Sequence, residues 1–496
     1  MDLILQGLVT VMSPQTLIFI ILGVAAGITI GALPGLTATM GVALLLPVTF
    51  SMGPINGILL LLGIYVGAIY GGSIPAILLR TPGTPAAAAT VLDGYELAKK
   101  GEAGRALGMS TLASFAGGII STILLMVISP QLAKLALKFS APEYFALAIF
   151  GLSIITSISG NSIVKGLMAA GIGILISLVG IDGITGFPRF TFGNVNMLNG
   201  LSFIPIMIGL FALSQAFSSI EDITKKIVIQ QKVKSVFPTW ADIKITWVTI
   251  LRSSFIGTFI GIIPGAGGDI AAFVSYNEAK RFSKHPEKFG TGLIEAVAAP
   301  EAGNNGVTGG AMVPLLTLGI PGDSVTAILL GALMMQGLQP GPLLFKEQGA
   351  IVYTIFIGLL VANIVMLILG LAGIKIFTKI VSIPAYILTP IIFALCIVGS
   401  YAINNSFFDV QIMFISGIVG YFMNKLEFPA SPIILALILG PMAEGNLRRG
   451  LVMSNGSASI FFTSPISLFF IILALITLFW PIIKPLIKNK KGVVTE

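Results

Sequence analysis

Charge is what this 496-residue chain has least of. Asp, Glu, Lys and Arg make up 10% of it, against 55% hydrophobic residues and a mean hydropathy of +1.01. That balance excludes an ordinary water-soluble domain, in which about a quarter of residues are charged, and implies a polytopic membrane protein. No acid or base occurs from Leu3 to Leu79, nor from Gly450 to Ile483. One helical pass needs about 20 apolar residues, so these and the other apolar stretches supply roughly 10-13 membrane passes, whole or partial. The runs are continuously apolar rather than alternating, which argues against a β-barrel and for an all-α fold.

Histidine and cysteine are nearly absent too. The single Cys396 cannot pair within the chain and reads as an inert buried thiol. The single His285 lies in the basic segment KRFSKHPEKF and reads as solvated. Without a histidine cluster, a paired cysteine, an H-E-x-x-H, a G-x-S-x-G or a G-x-x-x-x-G-K-[ST] motif, neither a metalloenzyme, a hydrolase nor a nucleotide-driven pump is indicated. The expectation is therefore a protein that is not an enzyme and that has no cofactor.

The formal charge of +8 is dispersed over short loops rather than gathered on one face, so positive-inside topology explains it better than nucleic acid. Lys99, Lys100 and Arg105 mark one cytoplasmic loop. Lys225, Lys226, Lys232 and Lys234 mark a second, Lys280, Arg281, Lys284 and Lys288 a third, and Lys488, Lys490 and Lys491 a cytoplasmic tail. The start, MDLILQGLVTV, has no basic region before its apolar segment, so the first helix is expected to be retained with its N-terminus outside.

What the chain has in excess is glycine and proline, 58 and 27 residues, at recurring places. GITIGALPG, Gly27 to Gly35, recurs as GTFIGIIPG, Gly257 to Gly265. GGSIPAILLRTPGT, Gly71 to Thr84, recurs as GGAMVPLLTLGIPGD, Gly309 to Asp323. In the first half the basic loop follows the second motif; in the second half it follows the first. The halves are therefore expected to be inverted: residues 1-217 a first membrane repeat, 218-244 a cytoplasmic linker, 245-456 a second, inverted repeat, and 457-496 a terminal helix and basic tail. Charge parity favours a re-entrant hairpin turning at PGAGG over two full spans, with a counterpart at LPGL.

An interior proline costs a helix about 3 kcal/mol and each glycine about 1 kcal/mol, and irregular backbone at membrane depth is tolerated only inside protein or beside a watery cavity. Paired breaks in inverted halves point to the site of a secondary transporter. The substrate-binding candidates are Pro34, Gly35, Thr37 and Thr39; Thr81, Gly83 and Thr84; Gly265 and Gly267; Asn304 and Asn305; and Gly322 and Ser324. Asp269, Asp323 and Thr326 are the ion-coupling candidates. Thr84-Pro85 and Asp323-Ser324 read as helix N-caps. Gly63, Gly67 and Gly71 read as a packing face. The segment EAVAAPEAGNNGVTGG, Glu295 to Gly310, reads equally well as site or as ordinary loop, and Arg80 as a topology anchor rather than a carboxylate ligand.

The stretches GALPGLTATMGVALLLP, YGGSIPAILLRTPGTPAAAATVLDGYELAKKGEAGRALG, GIIPGAGGDIAAFVSY and PEAGNNGVTGGAMVPLLTLGIPGDSVTAILLGALMMQGLQPGP closely resemble the large permease subunit, TctA type, of tripartite tricarboxylate transporters. The resemblance runs through nearly the whole chain. It implies a multi-pass protein of the bacterial inner membrane that imports a carboxylate such as citrate on an ion gradient, commonly sodium, with a proton as the alternative coupling cation. It also implies two partners, a small membrane subunit of TctB type and a periplasmic solute-binding protein of TctC type. The residues alone leave open a gated anion channel with a glycine-rich filter, and a membrane enzyme acting on a lipid-linked substrate.

Overall fold

The computed structural model describes residues 2–33, 35–153, 162–221, 237–381 and 385–491. Pro34 and the four lysines between 225 and 234, with most of the 218-244 linker, lie outside them. Among the described residues, eight helices are long and apolar enough to cross a membrane, and three apolar helices are shorter. The described residues are helical, apart from one two-residue antiparallel ribbon pairing Gly180–Ile181 with Pro188–Arg189 and the connecting turns and loops.

The chain forms two compact units, each discontinuous in sequence. The larger comprises Met1–Ala136 and Met207–Ile418, the smaller Leu137–Ile206 and Val419–Glu496. In the smaller unit, Ala141–Ser153 packs on Ser431–Met453 and on Pro465–Lys491, and Ile163–Ser177 packs on Ser431–Met453. Four charges gather there: Arg448 pairs with Asp182 at 2.7 Å and with Glu444 at 3.1 Å, and Arg189 pairs with Glu444 at 2.7 Å.

The larger unit holds the repeated motifs. Its first half contains α1 (Pro14–Ala32), α2 (Ala38–Leu45), α3 (Pro54–Gly71), α4 (Ser73–Leu79), α5 (Val91–Lys99) and α6 (Ala103–Ala136). The second half contains α7 (Trp240–Ile262), α8 (Gly267–Phe282), α9 (Ile294–Gly310), α10 (Met312–Leu318), α11 (Ser324–Met335) and α12 (Gly349–Ala372). Both halves run in the same order: long helix, break, returning helix, buried helix, kink, second break.

Glycine explains how the long and buried helices meet. A Cβ added at Gly23, Gly27 or Gly31 of α1 would lie 2.2 to 2.4 Å from the carbonyl oxygens of Leu60, Ile64 and Ala68 on α3. Gly67 and Gly71 meet the carbonyls of Val24 and Ile28 in return, so the glycines of α3 are a packing face. In the second half Gly257 of α7 meets the Gly303 carbonyl, and Gly310 of α9 meets that of Thr258. Residue numbers ascend together in both seams, so α1 runs parallel to α3 and α7 parallel to α9.

The same reasoning fixes the directions of the halves. Gly117 of α6 meets Ala302, and Gly309 meets Ser121, so α6 and α9 are parallel. Gly358 of α12 meets Leu59, and Gly370 meets Tyr70, so α12 and α3 are parallel. Gly118 meets Asn363 whereas Gly370 meets Thr111, so α6 and α12 are antiparallel. It follows that α3 and α9, which correspond by motif, run in opposite directions.

The turn at Ile263–Ala266 sends the chain back along α9. Gly268 of α8 lies beside Asn304, while Ala272, Tyr276 and Ala279 cluster with Ala296 and Ala299 nearer the start of α9. The chain leaves along α7 and returns along α8 as a hairpin. At its open end the two halves are clasped. The Asp93 carboxylate on α5 accepts the amides of Gly290, Gly292 and Leu293 at 2.8 to 3.0 Å and the Tyr276 hydroxyl at 2.9 Å. Nearby, Arg105 at the start of α6 pairs with Asp242 at the start of α7.

Candidate functional site

The breaks have matching local geometry. Leu33 and Ile263 leave their helices in extended conformation, and the glycines two residues on, Gly35 and Gly265, adopt φ of +89° and +83°. A side chain is strained there, so glycine answers a backbone need. At the second breaks α4 ends on Arg80 and α10 on Gly319, both left-handed, at φ 60° and 71°. Arg80 is exposed, with its guanidinium 5.9 Å from the centre of the Tyr95 ring.

Within each half the two breaks touch. The Gly265 amide donates to the Gly322 carbonyl at 2.7 Å. A Cβ at Gly322 would run into Ala311 and the Gly261 carbonyl, and one at Gly83 would run into the Gly31 carbonyl. Gly83 and Gly322 therefore let backbones approach, which is a packing role rather than direct evidence of ligand contact.

Across the halves the second break of each meets the other's returning segment. The 85–87 turn after Thr84 packs on α8, with Ala86 beside Gly268, and the Ala86 carbonyl accepts the Asn304 side-chain amide at 3.1 Å. Reciprocally, α11 packs on α2. Asp323 caps α11 by accepting the Thr326 amide at 2.7 Å, and the Asp323 amide donates in return to the Thr326 hydroxyl oxygen at 2.8 Å. The second carboxylate oxygen of Asp323 accepts the Tyr65 hydroxyl of α3 at 2.5 Å.

Thr84 differs from the sequence expectation. It stands before a three-residue 3-10 turn, its side chain caps nothing, and its buried hydroxyl makes no hydrogen bond among the described residues. The physical reason is Gly72: the Thr84 hydroxyl is pressed against it, 2.3 Å from where a Cβ would stand, rather than swung over the 85–87 amides. The buried Asn305 side chain donates to Asn304 at 2.7 Å and to the Glu301 carbonyl at 3.1 Å, while its own Oδ1 has no partner among the described residues.

The other candidates divide. Thr37 caps α2 through the Met40 amide at 3.1 Å, and Thr39 and Ser324 are half-buried at the starts of α2 and α11. Gly267, at φ +48°, opens α8. Asp269 is exposed in the first turn of α8, and Thr81 is exposed beside Arg80, so neither is gathered with the buried polar groups. The segment from Glu295 to Gly310 is no loop but the greater part of α9, and every residue from Ala296 onward is buried. Its glycines lower helix propensity, but they admit neighbouring backbones, and that packing prevails.

Sequence reasoning left two participants out of the site. Tyr65 is one of only two polar side chains in the buried run of α3 beyond Asn56, and Glu301 is a fully buried acid in α9. An ionisable residue inside a membrane span is a functional candidate by default, and that signal was present for Glu301.

The comparisons agree with one another. The family described as tripartite tricarboxylate transporter TctA matches residues 17–435. An uncharacterized 52.8 kDa protein of the TAR-I ttuC' 3' region of Agrobacterium vitis is 39% identical over 470 residues, 94% of either chain. An uncharacterized protein of the TAR-II ttuC' 3' region of the same organism is 38% identical over 235 residues, 47% of this chain and 97% of that one. No solved structure matches. With a family match over residues 17–435 and a relative aligned almost end to end, the chain belongs to the tripartite tricarboxylate transporter TctA family.

Proposed function

We propose that the chain is the large membrane subunit of a binding-protein-dependent tripartite transporter that imports a carboxylate across the bacterial inner membrane on a cation gradient. The observation that carries this reading is the crossing of the paired breaks. Two oppositely directed halves each fold a Pro-Gly break onto the other's returning segment, and buried side-chain oxygens of Thr84 and Asn305 have no hydrogen-bond partner there among the described residues. Such groups at membrane depth are costly unless used, and amides at helix starts beside them suit an anionic solute. On this reading the small TctB-type subunit and the TctC-type binding protein are its partners, a tricarboxylate such as citrate or a related organic acid is the solute, and sodium or a proton is the coupling cation. The N-terminus is periplasmic and the C-terminus cytoplasmic.

The test is uptake into proteoliposomes holding both membrane subunits, with binding protein and labelled carboxylates outside and a sodium or proton gradient imposed. Gradient-dependent accumulation that needs the binding protein is the expected result. Equilibration without accumulation would instead make the protein a channel, and no flux of any carboxylate would remove the solute class.

A further inference from the structure

Glu301 is fully buried in α9, and its partners are neutral, the hydroxyls of Thr90, Ser114 and Ser110 and the side-chain amide of Asn304. Thr90, on the segment leading into α5, donates to Oε1 at 2.5 Å, and Ser114 of α6 donates to Oε2 at 3.1 Å. Ser110, one turn earlier on α6, donates to Ser73 of α4 at 2.7 Å. Among the described residues no Lys, Arg or His pairs with Glu301.

Cations on the elements packed against α9 are engaged or exposed elsewhere. Arg105 of α6 is held by Asp242 and Glu102, and Lys134 is exposed. On α5, Lys99 pairs with Glu96. On α7, Arg252 lies over the Phe282 ring and Lys244 is exposed. On α8, Lys280 is exposed and Arg281 pairs with Glu278. The remaining titratable groups there are acids or phenols: Tyr65 with Asp323, Tyr70 with Thr111, and Tyr276 with Asp93. Tyr95 lies under Lys99, Asp269 is exposed, and Glu295 accepts Thr249 and Ser283.

A carboxylate this deep without a counter-charge is costly, and the usual outcome is neutralisation. Both hydroxyls are placed to donate to the carboxyl oxygens, and a proton is the cation that neutralises the group with the least displacement of these donors. Its location gives it leverage. Glu301 and Asn304 lie three residues apart on one face of α9; Asn304 holds the Ala86 carbonyl and Glu301 holds Thr90. Together they grip residues 86–90, directly after the Thr81–Thr84 break.

We infer that Glu301 is a proton-binding site whose occupancy sets how tightly α9 holds the segment following the first half's second break. The proton comes from water and returns to it, and the only bond made or broken is O–H at a carboxyl oxygen. With Glu301 ionised, the Thr90 hydroxyl donates to an anion, a bond roughly twice as strong as one between neutral groups. With Glu301 protonated at Oε1, the new O–H donates to the Thr90 oxygen and the Thr90 hydroxyl hydrogen turns away, Ser114 still donates to Oε2, and the Thr90 bond is no longer one to an anion, so the grip loosens.

The test is infrared difference spectroscopy of the full-length protein in lipid, titrated from about pH 5 to about pH 9, a window that spans values documented for buried carboxyls. A protonated-carboxyl band that titrates in the parent and is missing from Glu301→Gln supports the site. Thr90→Val, which removes a donor to the anion without touching the acid, should move the midpoint to higher pH. An unchanged difference spectrum in Glu301→Gln overturns the inference, as does a band abolished by sodium at fixed pH but indifferent to pH. Uptake is the second arm and rests on the transport function proposed above: Glu301→Gln should flatten the pH dependence of uptake. If the parent carries no carboxylate, that function fails while the infrared titration still decides the site.

Discussion

Replacing Pro264 and Gly265 together by alanine tests whether the first break of the second half is part of the transport machinery. From propensity alone the change favours a continuous helix by roughly 3–4 kcal/mol. The hairpin reverses that sign. To straighten, α8 must leave α9 and expose Ala271, Ala272, Ser275, Tyr276 and Ala279, all buried. Tyr276 alone contributes about 1.5–3 kcal/mol by burial and about 1.5–3 kcal/mol through its bond to the Asp93 carboxylate. The alanines and the Gly265–Gly322 bond add to this.

The hairpin should therefore persist with an alanine at φ near +83°, a left-handed position that costs a side chain roughly 1–2 kcal/mol. The expected variant is folded, monodisperse, less stable by about that amount, and slower in uptake if the strain is relieved by moving the tip off Gly322. Thermal unfolding in detergent and initial uptake rates in proteoliposomes measure the two effects. Parental uptake would show that the geometry of the break is not used, and a protein more stable than the parent would refute the packing arithmetic.

Two further outcomes are expected. Asp93→Ala leaves three amides and the Tyr276 hydroxyl without their acceptor; at about 1–3 kcal/mol for each group left buried, a loss of roughly 3 kcal/mol or more should appear as a lower Tm and yield, and an unchanged Tm would contradict the clasp. Asp182 is held below the usual carboxylate range by the Ile184 amide and the Arg448 guanidinium. A lowered folded value means stabilisation present above about pH 4 and lost as pH falls further, so acid should lower the parent's Tm more than that of Asp182→Asn; equal slopes would refute it.

What could be read from the sequence was whatever repeats or interrupts a pattern. The breaks at Gly35, Gly265, Pro82-Gly83 and Pro321-Gly322 interrupt apolar helices. The opposed basic loops pointed to oppositely directed halves, and α3 and α9 do run in opposite directions. What escaped depends on contacts between distant residues. Glu301 meets Thr90 across 211 positions and Tyr65 meets Asp323 across 258, and nothing local marks either pair. Thr84-Pro85 carries the local signature of a cap, but neighbouring backbone diverts the hydroxyl. The 303–310 part of the 295–310 segment, GNNGVTGG, is poor in helix formers, and it is helical because its glycines let α6, α7 and α8 close upon it.

The two halves share geometry but not charge, and this bears on mechanism. The first motifs are 230 positions apart, which sets Asp269 against Thr39; the Pro-Gly steps are 239 apart, which sets Asp323 against Thr84; Gly71 and Gly309 are 238 apart, which sets Glu301 against Gly63. In each pair the acid belongs to the second half. Left-handed glycines and small-residue seams recur because each half must break and pack its helices in the same way, and duplication meets that need twice. A buried acid obeys the opposite logic, because each copy adds a desolvation cost of several kcal/mol and repels any other acid nearby. If cation coupling requires one protonatable group per transport cycle, a second copy would add that cost with no coupling benefit. Burial thus favours keeping Glu301 on one half alone, facing the hydroxyls of Thr90 and Ser114 on the other.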